Sequence, residues 1–192
     1  MPGEWHNFME QQFPKNMREI KFYCSSEVSN TCRRADILLS NNRTCEIQNT
    51  YISENDIVNR FNDWNKFGKE IIWLVNGNQG VEIDILSTGN YLLTFEDKWK
   101  YKSFENIYDF ILLEKNARIF KIELKKIRSG MIELKESKTL EETIDLLKID
   151  STEIWKFWSD ENAVKSVLGV YQQGAGNGKT YGIWKSISEN ID

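Results

Sequence analysis

The chain has 192 residues, a formal net charge of −4 and 40% hydrophobic residues. These values describe a folded globular protein with room for one domain and a smaller second one. No apolar run approaches the ~18 residues of a membrane span, and the start lacks the apolar core of a signal peptide, so we expect a cytoplasmic protein without a membrane partner. The acidic balance argues against a protein that coats nucleic acid, but it permits a nuclease whose metal ion offsets its own carboxylates.

The cysteine and histidine counts limit the possible chemistry. The three cysteines, Cys24, Cys32 and Cys45, contain no C-x-x-C pair, so we expect reduced thiols rather than a disulfide framework or a zinc site. His6 is the sole histidine, which excludes a histidine-rich metal site.

The first 77 residues predict a helix, a three-strand meander, a second helix and a buried strand. The first helix carries Trp5, Phe8 and Met9 on one side and ends near Phe13-Pro14. Strands are predicted over 18–24, 35–39 and 44–48, with turn residues at 40–43. Ser53 caps a helix with apolar residues at 57, 61 and 64, and the apolar run over 70–75 predicts a strand buried on both faces.

The rest of the chain predicts β-ribbons followed by helices. Residues 78–137 form a β-rich extension, Thr139 begins a helix through Lys148, and residues 151–160 form a second helical segment. We place a domain boundary near 149–151, which gives domains 1–149 and 150–192. Lys98 and Lys100 alternate with aromatic residues, a composition that suits nucleic acid but also describes an exposed strand with one packed face.

The hairpin at 34–48 carries the strongest chemical signal. Its two strands bring Asp36 near Glu46, and the two-residue period of a strand puts Glu46 and Gln48 on one face. One carboxylate from each strand suits a hard divalent cation such as Mg²⁺. Arg33 and Arg34 precede Asp36 and are either a solvated pair or phosphate contacts.

Asp36, Glu46 and Gln48 together resemble the active-site motif of PD-(D/E)xK nucleases, with Gln48 where a lysine is usual. The wider stretch is similar to the competence protein CoiA-like nucleases of that superfamily. The matching residues are Glu4-Trp5-His6, Arg34-Ala35-Asp36, Glu46-Ile47-Gln48-Asn49, Ile52-Ser53, Arg60 and Trp73.

This resemblance implies a restriction-endonuclease-like core of mixed α+β or α/β class. It implies Mg²⁺ or Mn²⁺ held by Asp36, Glu46 and the Ile47 carbonyl, with Gln48, Glu4 and His6 as further catalytic candidates. DNA is the implied partner. The candidate DNA contacts are Arg33, Arg34, Arg60, Lys98 and Lys100.

A glycine-rich loop follows a short strand candidate near the end of the chain. Glycines let backbone N–H groups surround phosphates, a lysine reaches the terminal phosphates, and a threonine binds Mg²⁺. The loop resembles the Walker A loop of superfamily 1 helicases, although chance similarity in a glycine-rich loop is the alternative. Its residues are Gly174, Gly176, Gly178, Lys179 and Thr180. We therefore expect a downstream helicase domain in a longer polypeptide. Only in that longer polypeptide would ATP be a cofactor.

The sequence thus predicts a metal-dependent DNA endonuclease domain at the front of a nuclease–helicase. The alternative is a catalytically degenerate nucleic-acid-binding module that positions an attached motor. Gln48 is the reason for the alternative, because a neutral amide supplies neither a cation nor a general base.

Overall fold

The computed structural model describes residues 3–23, 32–39, 43–96 and 102–149. Four of the predicted features lie outside these ranges: the turn residues 40–42, the stretch with Lys98 and Lys100, the helical segment at 151–160 and the glycine-rich loop with Lys179. Cys24 also lies outside them.

The first part of the fold follows the predicted order of helix, three strands, helix and strand. Its elements are α1 (Glu4–Gln11), β1 (Arg18–Tyr23), β2 (Cys32–Leu38), β3 (Arg43–Gln48), α2 (Glu54–Lys66) and β4 (Glu70–Asn76). Strands β1, β2 and β3 form an antiparallel meander, and β4 then lies parallel to β3. A helix connects β3 to β4 because parallel neighbours need a long crossover.

The second part of the fold divides between two sheets. Its elements are β5 (Val81–Ile85), β6 (Tyr91–Phe95), α3 (Lys102–Glu105), β7 (Phe110–Lys115), β8 (Arg118–Glu123), β9 (Met131–Leu134), β10 (Lys138–Thr139) and α4 (Leu140–Ile149). Strands β5, β6 and β9 form a small sheet, whereas β7, β8 and β10 join the main sheet, whose order is β1-β2-β3-β4-β7-β8-β10.

The β-rich extension predicted over 78–137 contributes strands to the same core as the first 77 residues. Strand β7 lies parallel to β4, and its residues Leu112 and Leu113 are wholly buried. Those two side chains belong to the apolar clusters on opposite faces of the sheet, so β7 needs cover on both sides. Strands β1–β4, helices α1 and α2 and the ribbon β7–β8 consequently form one mixed α+β core.

Helix α2 is positioned by its cap and by three buried side chains. The Ser53 hydroxyl accepts a hydrogen bond from the Asp56 N–H at 3.1 Å, as the sequence predicted. Ile57, Phe61 and Trp64 are buried, so the neighbouring position 60 lies at the edge of the buried face. This geometry presents Arg60 and Trp64 to β3. None of the described helices is long and apolar enough to cross a membrane.

Candidate active site

The antiparallel pairing of β2 and β3 is interrupted at Asp36. Ile37 pairs with Cys45 and Leu38 with Thr44, so the same register would place Asp36 opposite Glu46. At that point the backbone hydrogen bonds between the two strands are replaced by a bond to a side chain. The Asp36 Oδ2 accepts the Ile47 N–H at 2.8 Å. The N–H and C=O of one strand residue point to the same edge, so the Ile47 carbonyl also faces β2.

The pairing of β1 with β2 is interrupted at the same residue. Arg18 pairs with Ile37 and Ile20 with Ala35, which leaves Glu19 opposite Asp36 without a ladder partner. Glu19 has a φ of 50°, a backbone conformation that is costly for a residue with a side chain. Asp36 therefore lies in a gap of the sheet with a glutamate on the strand at either side.

Helix α1 closes this gap with two polar side chains. His6 Nε2 lies 3.3 Å from Glu10 Oε1 and 3.8 Å from Asp36 Oδ1. One potential ligand atom from each of His6, Glu10 and Asp36 lies within 4.8 Å of the others. His6 and Glu10 share a helix face because they are four residues apart.

The structure places Glu10, rather than Glu4, in this cluster. Glu4 is exposed in the first turn of α1, two positions before His6 and therefore on a different side of the helix. The sequence interpretation missed Glu10, although its i, i+4 spacing from the sole histidine was a usable signal. Glu19 was also missed, because its position depends on a local break in the β1–β2 pairing and a positive φ that no sequence pattern indicates.

Glu46 is almost completely buried against α2. Its side chain is 3% exposed; Oε1 accepts the Trp64 indole N–H at 2.9 Å, and Oε2 forms an ion pair with Arg60. Burial raises the pKa of Glu46 to about 7, and the negative charge of Asp36 adds to the rise. Arg60 and the Trp64 N–H oppose the rise but do not cancel it. The pKa of this carboxyl therefore lies near neutral pH, where an ordinary glutamate is fully ionised.

The two carboxyl groups of the cluster, Glu10 and Asp36, also hold protons more readily than usual, whereas Glu46 lies outside the cluster. Burial raises the pKa of Asp36, while the Ile47 N–H and His6 oppose this rise. Burial also raises the pKa of Glu10, with His6 opposing it and Asp36 adding to it. Clustered carboxyls with raised pKa values mark a place where positive charge is favoured.

Cys45 lies next to this cluster but is not part of it. Burial raises the pKa of the Cys45 thiol far above its ordinary value, and the charges of Asp36 and Glu46 add to that rise. A buried thiol of this kind is a poor nucleophile.

The three described candidate DNA contacts are arginines that pair with acids. Arg33 pairs with Asp63, Arg34 Nη1 lies 3.0 Å from Glu19 Oε1, and Arg60 pairs with Glu46. Arg60 also lies 5.7 Å from the centre of the Trp73 ring. These partners hold the guanidinium groups in place, although the Arg33 and Arg60 side chains each remain 33% exposed.

A polar cleft of about 350 Å³ lies beside the hairpin. It is lined by Arg33, Gln48, Tyr51, Ile52, Asp56, Asn59 and Arg60. Gln48 is one of these lining residues, and its Nε2 donates a hydrogen bond to the Thr50 carbonyl at 2.6 Å. The amide oxygen of Gln48 is not used by this bond. The cleft thus brings two arginines and the Gln48 amide to one surface, which we name the phosphate cleft.

The donor set fits a hard divalent cation. Carboxylate and carbonyl oxygens suit Mg²⁺ and Mn²⁺, and one imidazole is compatible with Mn²⁺. Burial is the main cause of the raised pKa values of Asp36, Glu10 and Glu46, so a cation bound beside these carboxyls would favour their ionised forms.

The fold is mixed α+β, and carboxylates converge at the point where the backbone pairing of β2 with β3 stops. These two features are the ones expected of a nuclease-like domain. Residues 15–124 match the family described as Competence protein CoiA, nuclease-like domain, and because this covers more than half of the chain, the chain belongs to that family. The match includes the hairpin and α2 but begins after α1. No curated protein and no solved structure gave a significant match to the chain.

Proposed function

We propose that this protein is a metal-dependent nuclease that hydrolyses phosphodiester bonds in DNA. The observation that carries the proposal is the convergence of His6, Glu10 and Asp36, whose ligand atoms lie within 4.8 Å of one another at the gap in the hairpin. The family supports a nuclease-like domain. The metal, the substrate and the chemistry are inferred from the residues.

His6, Glu10 and Asp36 are the proposed holders of Mg²⁺ or Mn²⁺, with the Ile47 carbonyl as a further ligand. Glu46 is not part of this group and would join it only by giving up a contact with Arg60 or Trp64. When bound, the cation would lower the pKa of a water molecule and neutralise charge on the phosphate.

The remaining polar residues position the substrate. Arg60 and Arg33 offer guanidinium groups to phosphate oxygens at the cleft, because planar guanidinium forks match phosphate geometry. The Gln48 amide can orient a water or a phosphate oxygen by hydrogen bonding, but it has no proton to take up or release. The carboxylates and His6 are therefore the proposed general acids and bases.

A second candidate function is a DNA-binding module without catalysis that positions an attached ATP-driven motor. Two observations favour it: both Glu46 oxygens have partners in Trp64 and Arg60, and Gln48 replaces the usual lysine. A cation at Glu46 would have to displace at least the Arg60 contact.

Cleavage of labelled DNA distinguishes the two functions. The full chain is incubated with single-stranded and duplex DNA in Mg²⁺, Mn²⁺ or EDTA, together with Asp36→Asn and with Asp84→Asn as a matched control. Asp84 is an exposed acid on β5 in the small sheet. The proposed function predicts cleavage by wild type and Asp84→Asn, and none by Asp36→Asn or in EDTA. DNA binding without cleavage in any metal would instead establish the second candidate.

A further inference from the structure

A second pocket adjoins the phosphate cleft at the carboxyl ends of two parallel strands. Strand β3 ends at Gln48 and β4 ends at Asn76, and ligands of sheets with parallel strands commonly bind beyond such ends. The pocket has a volume of about 270 Å³, near the lower limit of small-molecule sites, which is about 300 Å³. A site of this size suits a single planar ring system rather than a longer ligand.

The walls of the pocket combine apolar surface with carboxamides. Ile52, Val75 and Phe104 are buried and contribute the apolar part. Asn49 and Asn76 also line the pocket; Asn76 Nδ2 donates a hydrogen bond to Asn49 Oδ1 at 2.7 Å, and Asn76 Oδ1 accepts the Asn78 backbone N–H at 2.8 Å. Both amide oxygens thus have a partner, so the pair offers mainly N–H donors, which suit the acceptor atoms on the edge of a nucleobase.

The charges around the pocket favour a neutral ligand. Among the described residues that line it there is no lysine or arginine, whereas Glu96 is one of them. A phosphate beside these described residues would face the Glu96 carboxylate. The neighbouring phosphate cleft has the opposite character, because Arg33 and Arg60 line it. The two compartments therefore separate a place for a charged group from a place for an uncharged ring.

Tyr51 links the two compartments. Tyr51, Gln48 and Ile52 line both of them. Tyr51 is 57% exposed, so part of its ring is accessible to a ligand that enters either compartment. An aromatic ring between a phosphate-binding surface and a neutral pocket is the arrangement used to stack nucleobases.

We propose that this pocket holds one unpaired nucleobase of the DNA strand, with the adjoining phosphate in the cleft beside Gln48. Tyr51 stacks on the base, and Asn49 and Asn76 contact its edge. This proposal rests on the proposed function for the identity of the substrate. It adds a strand preference: a base inside a duplex must leave its stack to enter the pocket, so single-stranded DNA and duplexes with an unpaired nucleotide bind more tightly than a perfect duplex.

Binding measurements test the pocket independently of cleavage. Fluorescence anisotropy with the full chain in EDTA compares a labelled single strand, the same strand with one abasic nucleotide stepped through successive positions, and a perfect duplex. The variants are Tyr51→Ala, Tyr51→Phe and, as a matched exposed aromatic, Tyr23→Ala. Tyr23 is 71% exposed and lines neither compartment.

We expect Tyr51→Ala to weaken single-strand binding by about 5- to 100-fold, the range for losing one stacked base. Tyr51→Phe and Tyr23→Ala stay within about twofold of wild type. An abasic nucleotide at one position weakens binding to wild type but not to Tyr51→Ala, because the stack is already lost. A merely structural role for Tyr51 would leave the abasic effect intact in the variant and would overturn the proposal.

The outcomes separate failure of the pocket from failure of the nuclease assignment. Equal binding of single strand and perfect duplex, with no effect of Tyr51→Ala, refutes the pocket even if Asp36→Asn abolishes cleavage. Tight, Tyr51-dependent binding of single strands without cleavage in any metal supports the pocket and refutes the nuclease. No measurable binding of either DNA by wild type refutes the pocket.

Discussion

The buried carboxyl of Glu46 predicts an unusual pH dependence of stability in the metal-free protein. Burial raises its pKa from 4.5 to about 7 in the folded state, whereas the unfolded chain keeps the ordinary value. The folded state therefore binds this proton more tightly than the unfolded state. The stabilising effect of this bound proton on the folded state is therefore full below about pH 4.5 and is lost as the pH rises through 7.

The size of the effect comes from the pKa difference. Each pKa unit corresponds to about 1.4 kcal/mol, so the shift amounts to about 3 kcal/mol over the whole window. Between pH 5 and pH 8 we expect Glu46 to cost the folded state roughly 2–3 kcal/mol. Glu46→Gln removes this dependence, because glutamine resembles the protonated carboxyl and does not titrate.

The assay is urea unfolding of wild type and Glu46→Gln in EDTA at several pH values from 5 to 8. The free energy of unfolding of the variant, relative to wild type, should rise by about 2–3 kcal/mol across this range. If the free energy of unfolding changed with pH in the same way for the two proteins, the reasoning would be refuted. That result would mean that Glu46 ionises in the folded state at its ordinary pKa.

Glu142→Gln is a control variant whose stability should change with pH in the opposite direction. Hydrogen bonds from the Thr139 hydroxyl and backbone N–H lower the pKa of the exposed Glu142 at the start of α4. Its stabilising effect is present above pH 4.5 and is lost as the pH falls through the folded pKa. Relative to wild type, this variant should therefore be less stable at pH 7 and recover in acid.

The remaining predictions concern the metal cluster, the thiols and the end of the chain. Glu10→Gln should weaken Mn²⁺ binding about 10- to 100-fold by isothermal titration calorimetry if Glu10 supports the site, and an unchanged affinity would remove it from the cluster. Replacement of all three cysteines by alanine should retain full cleavage activity but lower the midpoint of urea unfolding, since Cys45 is buried; one equivalent of bound zinc in wild type would contradict the expectation of free thiols. The chain should not hydrolyse ATP, and turnover that Lys179→Ala abolishes would show that a working phosphate loop is present.

Local patterns in the sequence accounted for the elements of the main sheet's first half. The apolar positions of α2, the Ser53 cap and the continuous apolar run of β4 each depend on neighbouring residues, so period and capping rules predict them. The hairpin that brings Asp36 towards Glu46 was predictable for the same reason, because its strands and its turn are adjacent in the chain.

Tertiary structure alone decided how the site is assembled. The pairing of β7 with β4 joins residues more than 30 positions apart, and nothing in either strand specifies its partner. The choice of Glu10 over Glu4 depends on how α1 rotates when Met9 is buried, and the break at Asp36 coincides with the positive φ of Glu19 on the neighbouring strand. The partners of Glu46, Trp64 and Arg60, come from a helix that crosses over the strand. The sequence determined which chemical groups the protein contains. The raised pKa of Glu46 depends on tertiary structure, because only packing removes that carboxyl from water.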